Sequence, residues 1–179
     1  TATNVMTNEF TANWSSVPGA THYLLELSLS TSFNPLVYAY NGISVSGTSK
    51  VIVASPNTVY YYRLRAANAT GPSLTSNVIS VTTLPLAPQA LPSTGIGSNS
   101  FTANWSAMPG ITNFLLDVST SSTFDTFVTG YNGLAVTGTS RVISGLTAQK
   151  TYYYRLRAVN SGGTSLFSNT VVGASFDRN

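Results

Sequence analysis

The chain has 179 residues, of which 42% are hydrophobic and only 7% are charged. This hydrophobic content excludes a disordered chain, and the charge lies far below the roughly 25% of an average soluble protein, so Ser, Thr and Asn must supply solubility. Eight basic and five acidic residues give a net charge of +3 without a dense Lys and Arg cluster, which argues against nucleic acid as a partner. The absence of cysteine excludes disulfides, thiol catalysis and Cys-ligated zinc.

Short strand-forming segments alternate with turn residues along the first half of the chain. In segment 22–29, the odd-numbered Tyr and Leu residues up to Leu29 are predicted to face a core, with Glu26 and Ser28 on the opposite face. Segment 36–40 is a further predicted strand, closed by Asn41-Gly42. The other predicted strands are 3–5, 9–14, 49–53, 60–67 and 77–83. Seven short strands in about 90 residues predict a β-sandwich.

The second half of the chain repeats the first. Segment 60–66, Tyr-Tyr-Tyr-Arg-Leu-Arg-Ala, recurs unchanged as 152–158, and Phe-Thr-Ala-Asn-Trp occurs at 10–14 and again at 101–105. The offset is 101 − 10 = 91 at the first motif and 152 − 60 = 92 at the second, so one residue is inserted before the second heptapeptide. We therefore predict two self-contained domains, residues 1–83 and 84–179.

Prolines mark the junction between the copies. Pro85 and Pro88 lie in a segment predicted to be semi-rigid, because proline restricts its own φ and the geometry of the residue before it. Pro88 and Pro92 flank the first predicted strand of the second copy, which favours an edge position for this strand. The chain begins at Thr1 without methionine, and we interpret it as a piece of a longer protein. No apolar run approaches 18 residues, so membrane insertion is not expected.

On these motifs each copy resembles a fibronectin type III domain. Trp14 and Trp105 match the core tryptophan of that family's second strand, and Leu146, Tyr152 and Ala158 match its leucine–tyrosine–alanine pattern. The resemblance implies an all-β chain of two immunoglobulin-like, seven-stranded sandwiches in tandem, with Tyr60 and Tyr152 as tyrosine corners that hydrogen-bond the loop upstream. The first copy has Ala54 in place of the leucine, which predicts a repacked corner.

The resemblance also implies a function class. It is closest to modules of secreted or cell-surface bacterial multidomain proteins, which implies an extracellular, non-catalytic spacer or interaction region. Other domains of the same protein, surface proteins or polysaccharide are the expected partners, and a monomer is the expected state. The alternative is a weak carbohydrate- or protein-binding module. Arg-Gly-Asp does not occur, so nothing supports integrin binding.

Four tyrosines are the candidate ligand contacts. Tyr61 and Tyr153 are predicted on the solvent face of the repeated strand, where they form an apolar strip with Leu24 and Leu115 or pack across strands. Tyr40 and Tyr131 precede Asn-Gly turns, where they either contact a ligand or close the end of a strand. We favour the structural interpretation for all four.

The charged and tryptophan side chains also favour structural roles. Arg63 and Arg65, like their copies Arg155 and Arg157, are expected to pair with Glu26 or Asp117 on the neighbouring strand. Trp14 and Trp105 are expected in the cores. His22 is replaced by Asn113 in the second copy, and no serine or carboxylate constellation is shared by both copies. We therefore expect no enzyme activity, no metal site and no cofactor.

Overall fold

The computed structural model describes residues 1–174. It divides into two compact units, Thr1–Leu84 and Pro85–Asn179, called unit 1 and unit 2 below. All regular secondary structure within the described residues is β-strand. Within the same range, no helix is long and apolar enough to span a membrane.

Unit 1 is a sandwich of two antiparallel sheets. Its strands are β1 (Glu9–Asn13), β2 (His22–Ser28), β3 (Leu36–Val45), β4 (Ser49–Val53), β5 (Val59–Asn68), β6 (Gly71–Pro72) and β7 (Ile79–Thr82). β1 pairs with β4 in the small sheet, to which Thr3 adds an isolated bridge at Thr11. In the large sheet β2 lies between β3 and β5, and both β6 and β7 pair with the other edge of β5.

Unit 2 repeats this plan and adds a full leading strand. Its strands are β8 (Ala90–Thr94), β9 (Phe101–Trp105), β10 (Asn113–Ser119), β11 (Leu134–Thr137), β12 (Ser140–Ile143), β13 (Thr151–Asn160), β14 (Gly163–Thr164) and β15 (Val171–Ala174). The small sheet has the order β12-β9-β8, which confirms the predicted edge position of the leading strand. The predicted flanking position of Pro92 was wrong, because Pro92 lies inside β8. It sits at a break in the register, between Leu91 and Thr94, where a missing N–H costs little.

The repeated heptapeptide forms the centre of each large sheet, as predicted. Tyr62 and Leu64 are buried between the sheets, whereas Arg63 and Arg65 are only partly buried on the outer face. The same alternation holds from Tyr154 onward in β13. Both cores are completed by a phenylalanine from the small sheet, since the ring centroids of Phe10 and Tyr60, and of Phe101 and Tyr154, are 5.8 Å apart.

Both tyrosine corners are formed. The Ser55 backbone N–H donates to the Tyr60 hydroxyl at 2.9 Å, and the Thr147 N–H donates to the Tyr152 hydroxyl at the same distance. Ala54 and Leu146 both pack with their cores, and the hydrogen bond does not depend on which of them is present. The predicted role of these two tyrosines is confirmed.

Serine side chains cap the edge of each large sheet where it has no strand neighbour. In unit 1 the Leu64 N–H donates to Ser76 Oγ at 3.0 Å and the Ala66 N–H to Ser73 Oγ at 3.1 Å. Ser168 and Ser165 accept the corresponding bonds in unit 2. Each serine also returns its own backbone N–H to the same strand residue. The Ser-Leu-x-Ser segment therefore replaces a strand with alternating hydroxyl and backbone contacts.

Three local expectations were wrong. β3 does not end at Asn41-Gly42 but continues to Val45, and breaks in its register against β2 accommodate the turn-forming residues. Ser28 is fully buried, and its hydroxyl is satisfied by a hydrogen bond that it donates to the Pro35 carbonyl at 2.8 Å. Since β2 ends at Ser28, Leu29 turns outward and is 59% exposed.

The two tryptophans differ. Trp105 is 1% exposed, and its Nε1 donates to the Gly138 carbonyl at 2.8 Å, as expected for a core residue. Trp14 follows the end of β1, packs against the core and stays partly exposed, while its Nε1 is buried without a hydrogen-bond partner. The prediction of a core position is therefore confirmed for Trp105 and only in part for Trp14.

Candidate functional site

The outer face of the large sheet carries the polar residues that the heptapeptide predicted. In unit 1, β2 and β5 pair Leu24 with Arg65, Glu26 with Arg63, and Ser28 with Tyr61. Because alternate residues share a face, these three pairs form a row on the outer face of the sheet, where Ser28 is itself buried. The corresponding row in unit 2 pairs residues 115, 117 and 119 with 157, 155 and 153.

An ion pair occupies the middle of the row in unit 1. Arg63 Nε lies 2.6 Å from Glu26 Oε2, and the guanidinium stacks over the Phe33 ring at 4.0 Å from its centroid. The predicted cross-strand pairing is confirmed for Arg63. Among residues 1–174, Arg65 has no acidic partner, so the predicted pairing is wrong for this residue. The residue opposite is Leu24, and the buried Nε of Arg65 makes no hydrogen bond within that range.

The ion pair of unit 2 is more deeply enclosed. Arg155 Nε lies 3.1 Å from Asp117 Oδ2, and the nearly buried Asp117 accepts a second bond at 2.8 Å from the Gly133 N–H. The Arg155 guanidinium lies between two rings, 4.0 Å from Phe124 and 3.5 Å from Phe167. Arg157 also faces the Phe167 ring at 4.8 Å. The predicted pairing is therefore confirmed for Arg155. It is wrong for Arg157, whose Nε is buried without a hydrogen-bond partner within residues 1–174.

The apolar strip predicted around Tyr61 and Tyr153 is interrupted. Tyr61 lies at one end of the row and Leu24 at the other, with the ion pair of Arg63 between them. Both tyrosines are half-buried on the outer face. A ligand contact by Tyr61 or Tyr153 stays a prediction, and it would involve single rings beside an ion pair.

Tyr40 and Tyr131 close the side of each sandwich. Tyr40 packs against the core, and its hydroxyl accepts the Val53 N–H at 3.0 Å, which ties β3 to β4 of the other sheet. Tyr131 does the same with the Ser144 N–H at 3.3 Å. This geometry agrees with the closing role favoured from the sequence. Contact of these two tyrosines with a ligand stays a prediction.

Sequence reasoning missed three surface features. Phe33 and Phe124 recur at the repeat offset, which was the available signal for their stacking on arginine, whereas Phe167 has no counterpart and carried no signal. Tyr38 on β3 is 97% exposed. A groove of about 450 Å³ opens beside Trp14 in unit 1.

Within residues 1–174, no three His, Asp or Glu side chains come together as metal ligands. His22 contacts Thr21 Oγ1 at 3.0 Å. The ion-paired Glu26 and Asp117 lie in separate units, so they form no carboxylate pair within either unit. What the site shows is a pair of structural ion-pair networks and a few exposed aromatic rings.

Two sandwiches of this topology, each with a tyrosine corner, define the chain as a tandem of immunoglobulin-like domains. The family model for the fibronectin type III domain matches residues 86–174. The internal repeat and the shared topology extend that match to unit 1, and the chain belongs to the fibronectin type III family as two tandem domains.

Several known proteins are similar to this chain. Chitinase A1 of Niallia circulans is 34% identical over 155 residues, covering 74% of this chain and 20% of that protein. This chain therefore spans about a fifth of that relative. A two-domain fibronectin type III segment of chicken tenascin superposes with a TM-score of 0.56 at 18% identity, covering 98% of this chain and 97% of the segment. The FN1-FN3 domains of chicken CNTN1 give a TM-score of 0.47 at 15% identity, covering 99% and 66%. The tenascin likeness shows the fold.

Proposed function

We propose that this chain is a non-catalytic tandem module that acts as a spacer or interaction region in a larger secreted or cell-surface protein. The observation that carries the proposal is that polar side chains on the outer face and at the side of each sandwich make their contacts within their own unit. Arg63 and Arg155 form ion pairs and stack on aromatic rings. The hydroxyls of Tyr40 and Tyr131 accept hydrogen bonds from backbone N–H groups. A surface of this kind supports the fold and offers little to a ligand.

The placement outside the cell rests on the resemblance to modules of secreted and surface proteins. Membership in a family of generally non-catalytic modules, together with the short match to a much longer chitinase, supports a role as one part of a multidomain protein. Other domains of that protein are the first expected partners. We expect the isolated chain to be a monomer in sedimentation experiments.

The alternative is weak binding of a carbohydrate or protein through Tyr61 and Tyr153. It is supported by the half-buried rings on the outer face, since aromatic rings stack on sugar faces and exposed apolar patches often mark interfaces. Chitin is the first polysaccharide to try, because it is the substrate that the name of the Niallia relative implies.

A binding experiment separates the two proposals. The chain is applied to a glycan array, to insoluble chitin and to insoluble cellulose, and bound protein is measured. The spacer proposal expects no saturable binding to any of them. Saturable binding that Tyr153→Ser abolishes would establish the alternative and end the pure spacer proposal. Tyr38→Ser is the matched control, because it removes an equally large but fully exposed ring elsewhere.

A further inference from the structure

The outer face of each large sheet holds a tyrosine hydroxyl that its own unit leaves unused. The chain has ten tyrosines, and the hydroxyls of all but three bond to backbone groups of the same unit. Within residues 1–174 no hydrogen bond engages the hydroxyls of Tyr38, Tyr61 and Tyr153. Tyr61 and Tyr153 occupy the same place in the repeat, so both copies leave this group available.

A guanidinium on the same strand is also unused in each unit. Nowhere in the described part of the chain does Arg65 or Arg157 make a hydrogen bond or an ion pair. Their Nε atoms are buried, whereas their terminal Nη groups are not, so each pair of Nη groups is accessible to solvent. Such a pair is a planar fork of donors that suits a carboxylate.

No acidic residue of unit 1 is free to neutralise Arg65. This unit has only two acidic residues, Glu9 and Glu26. Glu26 is held by Arg63 at 2.6 Å, and Glu9 lies on β1, in the other sheet. The charge of Arg65 is therefore uncompensated within its own unit.

The acidic residues described in unit 2 are engaged as well. Asp117 forms its ion pair with Arg155, and Asp125 accepts two hydroxyls of its own loop. Arg157 therefore matches Arg65, and the whole chain has a net charge of +3. Both guanidinium groups are suited to an acidic group from another molecule.

The unused hydroxyl and the unused guanidinium lie on one face of one strand. The outer face of β5 has the order Tyr61, Arg63 and Arg65, and the rise of a strand places the first and the last about 13 Å apart. Between them the Arg63 guanidinium stacks on the Phe33 ring. β13 has the same order of residues. We call residues 61, 63 and 65, and residues 153, 155 and 157, the outer rows.

We propose that each outer row binds a short stretch of an acidic polysaccharide. A sugar ring stacks on Tyr61 or Tyr153, and the carboxylate of a uronic acid unit further along the polymer accepts hydrogen bonds from the Nη groups of Arg65 or Arg157. This inference rests on the alternative of carbohydrate binding given above and names the class of carbohydrate. A neutral polymer such as chitin would leave the guanidinium without its partner.

The duplication favours a polysaccharide over an acidic peptide. Both units contain the same outer row, and a polymer of repeating sugar units can offer the same ring and carboxylate to each of them. A peptide of one sequence would need only one such row. The net positive charge also attracts a polyanion, most strongly at low ionic strength.

The test is a titration of the ¹⁵N-labelled full chain with oligogalacturonate and with oligomannuronate. The backbone amides of Leu24 and Leu115, which lie opposite the two unused arginines, are the reporters. Both are expected to shift saturably with at least one uronate, while the amide of Val51 in the small sheet stays in place. The methyl ester of the same oligomer has no charge and should bind at least about tenfold more weakly.

Variants locate the site. Arg65→Gln should suppress the shift of Leu24 alone, and Arg157→Gln should suppress that of Leu115 alone. The double variant should weaken binding by about tenfold or more, because charge-assisted hydrogen bonds are lost in both units. Lys50→Gln and Arg141→Gln are the matched controls, since each removes one exposed positive charge from the small sheet. Circular dichroism checks that every variant is folded.

The competing ligands give outcomes that would overturn the inference. Equal binding of the uronates and their methyl esters, or loss of binding in the control variants to the same degree, would exclude the arginine–carboxylate contact. Equal shifts with polyglutamate would point to an acidic peptide instead. Binding of chitin oligosaccharides without binding of the uronates would refute the acidic ligand but leave the carbohydrate alternative standing. No binding of any saccharide would refute both and leave the spacer.

Discussion

Unit 1 and unit 2 contain the same seven residues at the centre of their large sheets but differ in what surrounds them. The strand β8 covers Trp105 in unit 2, whereas Trp14 in unit 1 lines a groove of about 450 Å³. Thr75 of unit 1 corresponds to Phe167 of unit 2, which stacks on two arginines (167 − 75 = 92). The shared interior residues determine the topology of both units, whereas the residues at the edges of each sandwich determine how much of its core is exposed to solvent.

A third difference lies inside the sandwich. Val81 of unit 1 corresponds to Gly173 of unit 2 (173 − 81 = 92). A Cβ at Gly173 would meet the Phe101 ring at 2.5 Å, so the ring fills the space that a side chain would need. In unit 1 the Val81 side chain is itself buried in the core with Phe10. The two copies thus fill the same volume with different residues, as close packing requires.

Replacing the tryptophans tests the difference in sealing most strongly. Trp105→Ala should lower the free energy of unfolding of unit 2 by about 3–5 kcal/mol, because it removes a fully buried ring and its hydrogen bond. Trp14→Ala should cost unit 1 roughly half as much, since this ring is partly exposed and its Nε1 has no partner. Urea unfolding followed by far-UV circular dichroism, with fluorescence of the remaining tryptophan, measures both. Equal costs would show that the two cores are equally sealed.

Exchanging Gly173 for the valine of unit 1 should lower the free energy of unfolding by a smaller amount. Gly173→Val is expected to destabilise unit 2 by about 1–3 kcal/mol, because the added methyl groups displace the Phe101 ring. The double variant with Phe101→Leu should recover part of the loss. Val172→Ala is the control on the neighbouring exposed position and should change stability by about 0.5 kcal/mol or less. Thermal unfolding of the full chain provides the comparison, and an unaffected Gly173→Val variant would refute the packing account.

Exchanging Phe167 and Thr75 between the units tests the aromatic stacking beside each ion pair. Phe167→Thr should destabilise unit 2 by about 0.5–1 kcal/mol, since Arg155 and Arg157 lose a ring contact. Thr75→Phe should stabilise unit 1 by a similar amount through Arg63 and Arg65. Leu166→Thr, which changes an 80% exposed side chain, should have no measurable effect. If neither Phe167→Thr nor Thr75→Phe changes the urea midpoint, the stacking contributes nothing to stability.

Alkaline pH should produce the smallest difference between the stabilities of the two units. Burial raises the pKa of Tyr62 and of Tyr154 above the usual value of 10.0, although backbone hydrogen bonds at Asn13 and Asn104 oppose this. A raised pKa means that the folded state favours the neutral phenol, so its contribution is complete below pH 10 and is lost as the pH rises above 10. Unit 2 should lose more, because the Tyr154 hydroxyl also donates to Leu91.

Unfolding free energies measured between pH 9 and pH 11 test this expectation. Tyr62→Phe and Tyr154→Phe should each flatten the decline of their own unit. Tyr38→Phe, at a fully exposed position, should leave the decline unchanged. An identical decline in the wild type and both buried-site variants would exclude these two phenols as its source.

The strands and their arrangement in two sandwiches were predicted well from the sequence, because they follow from repeated motifs and a period-two alternation. The repeated heptapeptide located the central strand of each large sheet, and the resemblance to fibronectin type III domains predicted the corners at Tyr60 and Tyr152. Strand ends were harder to predict. Asn41-Gly42 has strong turn character, but pairing with β2 carries β3 through it. Ser28 is polar, but a carbonyl within reach makes its burial possible.

The candidate site was predicted less well. Pairing of Arg63 with Glu26 followed from strand order, and it was confirmed. The stacking of Phe167 and the exposure of Tyr38 depend on where loops and edges come to lie, which no periodic pattern in one sequence encodes. The groove beside Trp14 depends on which side chains and loops border it, and no periodic pattern in the sequence indicated it.

The serine caps bear on how two nearly identical repeats avoid exchanging segments while they fold. Tandem domains of high similarity are prone to misassembly, because a strand of one copy fits the sheet of the other, and charged edge residues are a common protection. This chain has few charged residues that could provide such protection. Hydroxyls at Ser73, Ser76, Ser165 and Ser168 instead occupy the edge donors that a foreign strand would need. We expect these neutral hydroxyls to hinder pairing between strands of the two copies while they fold.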